Sequence, residues 1–269
     1  MNKKFEFTGE EKQFYGRTLK RIKAKKDFEN VACGDIGGWI EREENLDQNG
    51  TAWIYDNARV FGEARVYDNA KVSGNAEVYD NAWVYDNAEV YDNAWVYDNA
   101  EVYDNTEVCG NAKVYGNAEV YDSAKVYGEA RVYDSAKVYD NAWVYDNAWV
   151  YGEARVFGDA CVYENAKVSG NAEVYDNAYV FDNAWVCGNA KVKKTRDTIS
   201  FTKVGSRNDT LTAFKTKMGF SIKVGCFLGN LELFLEKVQE THGDNQFAKE
   251  YRLIAEVIKA RFSEGDKDE

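Results

Sequence analysis

One feature constrains the fold of this chain more than any other, a six-residue repeat that runs without interruption through its middle. From Ile54 to Val192 an aliphatic residue stands at every sixth position, and the residue two before it is Ala, with Thr106 as the one departure. Six residues turn an α-helix by about 600°, so the aliphatic side chains would fall on three separate faces and form no apolar stripe. The repeat therefore excludes a helix.

The repeating unit, Ala-x-Val-Tyr-Asp-Asn as at 82–87, predicts a short strand followed by a turn. In extended backbone Ala and Val point to one side of the strand and x points to the other. Asp and Gly exchange at the first turn position and Asn dominates the next, which suits left-handed or Asx-turn backbone. Strand and turn, repeated at this spacing, predict a solenoid.

The repeats over 52–192 resemble those of the hexapeptide-repeat proteins. The segment 34–41 (Gly-Asp-Ile-Gly-Gly-Trp-Ile-Glu), with the Asn-Leu pair at 45–46, looks like the start of uncharacterised members of that class, which are acyltransferase-named or phage-encoded. The resemblance implies a left-handed parallel β-helix with three hexads per coil. Twenty-four hexads then give an all-β solenoid of about 8 coils, roughly 38 Å long at the usual strand spacing.

Three segments follow from where the repeat begins and ends. A single coil cannot bury enough apolar surface to stand alone, so both ends of a solenoid need caps. We predict an N-terminal β cap over 1–50, the β-helix over 51–192 and an α+β module over 193–269. In the module the patterns predict strands over 198–204, 210–214 and 220–227, and helices over 231–241 and about 246–262.

Composition narrows the class of protein further. The net charge is −12, but 45% hydrophobic and 15% aromatic residues predict a folded chain rather than a disordered acidic tail. No apolar stretch is long enough for a membrane span or a secretory signal, and the five Cys show no CxxC spacing. We expect a cytoplasmic protein, in the host cytoplasm if phage-encoded, with no membrane partner, disulfide framework, zinc site or cofactor.

The resemblance also bears on catalysis, because hexapeptide-repeat enzymes work through histidines that project from the coils. Residues 1–241 contain no His, so acyl transfer by the rod is not expected. Cys226 and His242 are the candidate nucleophile and base of the C-terminal module. The alternatives are a buried structural thiol in a strand and a cation at a helix end. Arg207 and Asp209, in a polar loop, are candidates for binding a ligand without turnover.

Residues 18 apart should stack into columns on the surface. One outward column contains Trp95, Trp149 and Trp185 among Lys and Arg, which suggests either a contact surface or a shield over inter-coil hydrogen bonds. Tyr or Phe follows the aliphatic residue at 19 of 23 positions and should stack ring on ring. A turn column of carboxylates could bind a cation, or each could accept backbone N–H bonds in its own turn. Its members are Asp68, Asp86, Asp104, Asp122 and Asp140.

These observations favour a non-enzymatic scaffold that oligomerises and presents the C-terminal module to an unknown protein or small molecule. One alternative is a divergent acyltransferase-like or other enzyme that uses the module. Another is an acidic inhibitor, whether or not phage-encoded, that mimics DNA or sequesters a defence component. Residues 51–192 hold 24 acids and 10 bases, and their net −14 is about two thirds of the charge density of B-DNA. That charge argues against direct nucleic-acid binding.

Overall fold

The computed structural model describes residues 3–263 and shows a parallel β-solenoid with three faces. Each hexad forms a two-residue strand that pairs in parallel with the strand 18 residues later. Face 1 holds β5 Arg59–Val60, β8 Glu77–Val78, β11 Trp95–Val96, β14 Lys113–Val114, β17 Arg131–Val132, β20 Trp149–Val150, β23 Lys167–Val168 and β26 Trp185–Val186. Face 2 holds β6 Arg65–Val66, β9 Trp83–Val84, β12 Glu101–Val102, β15 Glu119–Val120, β18 Lys137–Val138, β21 Arg155–Val156, β24 Glu173–Val174 and β27 Lys191–Val192. Face 3 holds β4 Trp53–Ile54, β7 Lys71–Val72, β10 Glu89–Val90, β13 Glu107–Val108, β16 Lys125–Val126, β19 Trp143–Val144, β22 Cys161–Val162 and β25 Tyr179–Val180.

The interior and the turns follow the predicted hexad. The Ala and Val side chains of the repeat are buried along the whole rod, and Thr106 replaces Ala by donating its hydroxyl to the carbonyl of Tyr103 at 2.7 Å. Every sixth residue from Asp56 to Gly188 has a positive φ. Asp and Gly exchange there because Gly enters left-handed backbone freely and Asp tolerates it better than most residues.

The corners of the rod carry stacked side chains, as predicted. Consecutive aromatic rings lie parallel along each corner, with centroids 4.9 Å apart for Tyr97 and Tyr115. On the turns the Asn side chains hydrogen-bond from coil to coil, so that Asn69 donates to Asn87 and Asn87 donates to Asn105, each at 3.2 Å. Outward and turn side chains therefore reinforce the backbone ladder.

The rod has about nine turns, close to the eight predicted. Trp39 and Ile40 pair with Arg59 and Val60, and Leu46 bridges to Val66, so faces 1 and 2 begin one coil earlier than the hexads do. The sequence hides this coil because Leu46 and Ile54 are eight residues apart instead of six. The parallel ladder thus begins inside the segment predicted as a cap.

An antiparallel hairpin covers the N-terminal end. Its strands are β1 Phe5–Phe14 and β2 Arg17–Ala24, and β2 pairs with β3 Ile36–Ile40, which continues into face 1. Trp53 stands at the x position of the first hexad, which the repeat predicts to point outward, yet it is 1% exposed, because Phe28 packs against its indole with ring centroids 5.4 Å apart. The hairpin and the loop after it, which contains Phe28, thus cover the first coil.

The C-terminal module is the predicted α+β unit. Its antiparallel sheet contains β28 Thr198–Val204, β29 Asp209–Thr216, β30 Gly219–Val224 and β31 Phe227–Gly229, followed by α1 Leu231–His242 and α2 Gln246–Ser263. The strand predicted over 220–227 is in fact two strands, because Gly225 and Cys226 form a turn. Phe214 of β29 is fully buried in the core of the rod. No helix in the described residues is long and apolar enough to cross a membrane.

Candidate functional sites

The tryptophan column lies on face 1, where basic side chains from neighbouring coils cover the rings. The Nζ of Lys113 lies 3.9 Å from the ring centroid of Trp95, and that of Lys167 lies 4.7 Å from Trp149. Arg131 approaches Trp149 from the other side at 5.1 Å. The rings are half-buried, and each cation gains electrostatic attraction to the ring face. A partner would contact these Trp residues together with their cations.

Trp185, the last member of the column, joins the rod to the C-terminal module. Its backbone N–H donates to the Thr212 hydroxyl at 3.0 Å, and its indole N–H donates to Ser169 at 3.0 Å. The Nζ of Lys223 lies 4.0 Å from its ring centroid. Trp185 is therefore half-buried by the chain itself and positions the module.

The most exposed aromatic residues of the rod lie on the other faces. Trp83 and Trp143 are 41% exposed and Tyr179 is 45% exposed. Sequence reasoning did not single out Trp83, although its outward position in the hexad could have indicated it. A groove of about 490 Å³ runs beside its ring and is lined by Glu43, Glu44, Leu46, Asp47, Gln48, Arg65, Val66, Tyr67 and Trp83.

The aspartate column bonds to the backbone of the next coil. The Oδ2 of Asp122 accepts the N–H of Asp140 at 3.2 Å, and the Oδ2 of Asp140 accepts the N–H of Gly158 at 3.0 Å. We predicted backbone partners within each carboxylate's own turn, and this is wrong because the left-handed turn aims the side chain along the rod. Among residues 3–263 no three His, Cys, Asp or Glu side chains are grouped to hold a metal ion.

Cys226 and His242 occupy different environments in the module. Cys226 is an exposed thiol in the turn between β30 and β31, and not a buried residue of a strand. His242 is the last residue of α1, and its ring centroid lies 5.9 Å from that of Phe247 and 5.7 Å from that of Tyr251. No contact within the described chain joins the thiol to the imidazole.

Arg207 and Asp209 lie in the turn and strand that face α2. Asp209 accepts the N–H of Thr210, and both charged groups act on the buried hydroxyl of Tyr251. Burial raises the pKa of Tyr251 most, Glu250 and Asp209 raise it further, and Arg207 lowers it. The two candidates therefore surround a structural tyrosine at the contact between loop and helix.

Sequence reasoning also missed a basic cluster at the N-terminal end, although nine Lys or Arg in the first thirty residues signalled it. Two cations of the hairpin lie over the Trp39 ring, with Lys12 Nζ 4.1 Å and the Arg21 guanidinium 5.0 Å from its centroid. Trp39 pairs with Arg59, whose Nη1 donates to Glu77 at 2.9 Å. We call these residues the hairpin cluster: Lys12, Arg21, Trp39, Arg59 and Glu77.

Repeat, ladder and buried core define this chain as a β-solenoid repeat protein, and the resemblance to hexapeptide-repeat proteins is confirmed. A family model described as YdcK Beta solenoid repeat matches residues 52–68 and 136–152. The chain is also similar to a protein of Escherichia coli (strain K12) with the name Uncharacterized acetyltransferase YdcK. The two are 53% identical over 45 residues, which are 16% of this chain and 14% of that protein.

Proposed function

We propose that the chain is a non-enzymatic scaffold, a rigid rod that holds its C-terminal module in a fixed orientation and self-associates through it. The observation that carries this proposal is the docking of the module onto the last coil. Phe214 enters the rod core, Thr212 bonds to Trp185 and Lys223 covers its ring. A module held at three points cannot swing independently, so the rod fixes where its outer surface points.

The outer surface of the module supplies the contact for self-association. Leu253 and Val257 of α2 are 71% and 48% exposed. Neighbouring apolar side chains that are exposed on one helix face favour contact with another protein surface. A groove beside Leu253 is lined by charges of both signs, Lys249 and Glu256 among them. In a two-fold pair each surface contacts itself, so Lys249 of one copy can lie beside Glu256 of the other.

The way in which the rod is capped also favours association of two copies side by side. The hairpin continues face 1 at the N-terminal end, and β29 crosses the last strands at the C-terminal end, where Ala190 bridges to Thr216. At the C-terminal end β29 therefore covers the backbone groups of the last coil, so another rod is hindered from stacking on that end.

Sedimentation velocity of the intact protein at micromolar concentration tests the assembly. We expect a dimer whose dissociation constant rises at least about tenfold in Leu253→Asp, because a buried unpaired carboxylate is costly. Met218→Asp is the matched control, because Met218 is 97% exposed at the tip of a hairpin in the same module. A monomeric protein, or equal effects of the two substitutions, would contradict self-association through α2. Truncation after residue 195 is unsuitable because it would remove Phe214 from the core.

Acyl transfer by the C-terminal module is the second candidate, favoured by the name of the Escherichia coli relative, an uncharacterized acetyltransferase. The exposed Cys226 and the imidazole of His242 are the residues to test. Release of coenzyme A from acetyl-CoA, measured with the intact protein, His242→Ala and Cys226→Ser, separates the two candidates. Turnover that either substitution abolishes would replace the scaffold proposal with an enzymatic one.

A further inference from the structure

The hairpin cluster carries an excess of positive charge on the sheet that joins the N-terminal hairpin to face 1. Lys12, Arg21 and Arg59 are cations, and Glu77 is the one carboxylate that contacts them directly. Glu77 is 6% exposed and already paired with Arg59. Burial and then repulsion by Arg59 and Arg21 lower the pKa of Lys12 to about 8, and attraction to Glu77 offsets only part of this shift. With Lys12 protonated, the cluster has a net charge of about +2.

The same cluster contains buried polar atoms without a hydrogen-bond partner in the described chain. Three are donors, namely the Nε atoms of Arg21 and Arg59 and the indole Nε1 of Trp39. The fourth is an acceptor, the Oε2 of Glu77. Folded proteins pair nearly all such atoms, and these lie along the paired strands β2, β3, β5 and β8. Their occurrence on four consecutive strands of one sheet points to a ligand that they share.

Charge and hydrogen bonding together define that group. We propose that the hairpin cluster binds hydrogen phosphate, a dianion with three acceptor oxygens and one hydroxyl. Its charge of about −2 balances the excess of the cluster, whereas a carboxylate would balance half of it. Its oxygens accept from the two guanidinium groups and the indole, and its hydroxyl donates to Oε2 of Glu77.

The outer strand of the hairpin gives the ligand a way in. Lys12 belongs to β1, the edge strand of its sheet, and its half-buried side chain lies over Trp39. A lysine side chain is flexible, so it can move aside and then place its ammonium on the bound anion. The site is independent of the module and of the proposed self-association.

Titration calorimetry of the intact protein at low ionic strength and pH 7 tests this inference with inorganic phosphate, sulfate and ethyl phosphate. We expect one phosphate per chain. Sulfate and ethyl phosphate dianions have no hydroxyl to donate to Glu77, so each should bind at least about tenfold more weakly. Equal affinities for phosphate and sulfate, or tighter binding of ethyl phosphate, would overturn the assignment.

Variants locate the site and guard against a folding defect. Arg21→Gln should weaken phosphate binding at least about tenfold by removing a charge-assisted bond. Lys113→Gln is the matched control, because Lys113 covers Trp95 on the same face but lies outside the cluster. Glu77→Gln offers an N–H donor at the same place and should narrow the preference for phosphate over sulfate. An unchanged preference in a variant with native circular dichroism, or equal losses in Arg21→Gln and Lys113→Gln, would refute the site.

Discussion

The middle coils and the two ends of the rod are held together in different ways. In the middle, residues such as Val96 and Ala94 meet copies of themselves 18 residues away, so one solution for packing and hydrogen bonding repeats. At the ends each contact is made once, by residues such as Phe214 and Asn45. The comparison shows that a repeat specifies the coils with a few residue types used again in every hexad, whereas the caps need particular side chains at particular positions.

The two regions should respond oppositely to alkaline pH, and this is the largest effect we expect. Burial raises the pKa of five corner tyrosines of the rod to about 12, from 10.0: Tyr67, Tyr97, Tyr121, Tyr133 and Tyr145. The unfolded chain therefore loses these protons near pH 10 while the folded rod keeps them, so the free energy of unfolding falls between pH 10 and 12. Circular dichroism and tyrosinate absorbance measured together should show unfolding that coincides with ionisation.

At the N-terminal end the free energy of unfolding should change with pH in the opposite direction. Burial lowers the pKa of Lys4 and of Lys12 to about 8, from 10.5. Between these values the folded state releases its protons first, so these two groups make the protein more stable as the pH rises. Lys12→Met should remove part of that rise and leave the loss above pH 10 unchanged. The same pH dependence of stability in Lys12→Met and in the unmodified protein would contradict the distinction between middle and end.

Phe214→Ala should cause the next largest effect. The substitution empties the end of the rod core, and Phe-to-Ala changes in cores cost about 3–5 kcal/mol. Phe157→Ala is the matched change in the middle, where Phe157 is a half-buried corner residue stacked between Tyr139 and Tyr175. Chemical denaturation should show the smaller loss for Phe157→Ala. A larger loss of stability for Phe157→Ala than for Phe214→Ala would mean that the ends of the rod tolerate truncation of a side chain better than the middle coils do.

Ala94→Leu tests how closely the middle coils are packed. Ala94 is fully buried, and extra methylene groups in a filled core destabilise by about 1–3 kcal/mol. Glu89→Leu is the control, because Glu89 points outward from the preceding hexad and loses only a partly exposed ion pair with Lys71, which contributes little. Equal denaturation midpoints for Ala94→Leu and the unmodified protein would show that the coil interior is loosely filled.

The smallest effect is expected from a single turn amide. Asn87 accepts from Asn69 and donates to Asn105, and its replacement by Ala should cost about 0.5–1.5 kcal/mol at most. Asn45→Ala should cost more, because Asn45 is buried and bonds four backbone groups near the start of the rod. Thermal unfolding of the two variants compares one amide in the middle with one at an end. A larger loss for Asn87→Ala would invert the comparison.

More of the fold than of the candidate sites could be predicted from the sequence. The hexads predicted the strands, the buried Ala and Val, the stacked corners and a coil count within about one turn. Sequence reasoning placed Cys226 in a strand and the aspartate bonds within one turn, because local pattern does not show where a hairpin turns or where a left-handed turn aims its side chain. The groove beside Trp83 and the hairpin cluster went unnoticed, because the residues that form each of them are far apart in sequence.

The sequence by itself determined the solenoid, because a period of six with small and aliphatic residues is compatible with one regular arrangement that buries them all. Only the tertiary structure decided which segments cap each end of the rod and which side chains come together there. Phe28, in the loop after the hairpin, packs on Trp53, Phe214 enters the core from the module, and Lys12 of β1 reaches Trp39 of β3 across β2. The physical reason is that such contacts depend on how separate segments dock, and docking is set by shape and charge in space rather than by spacing along the chain.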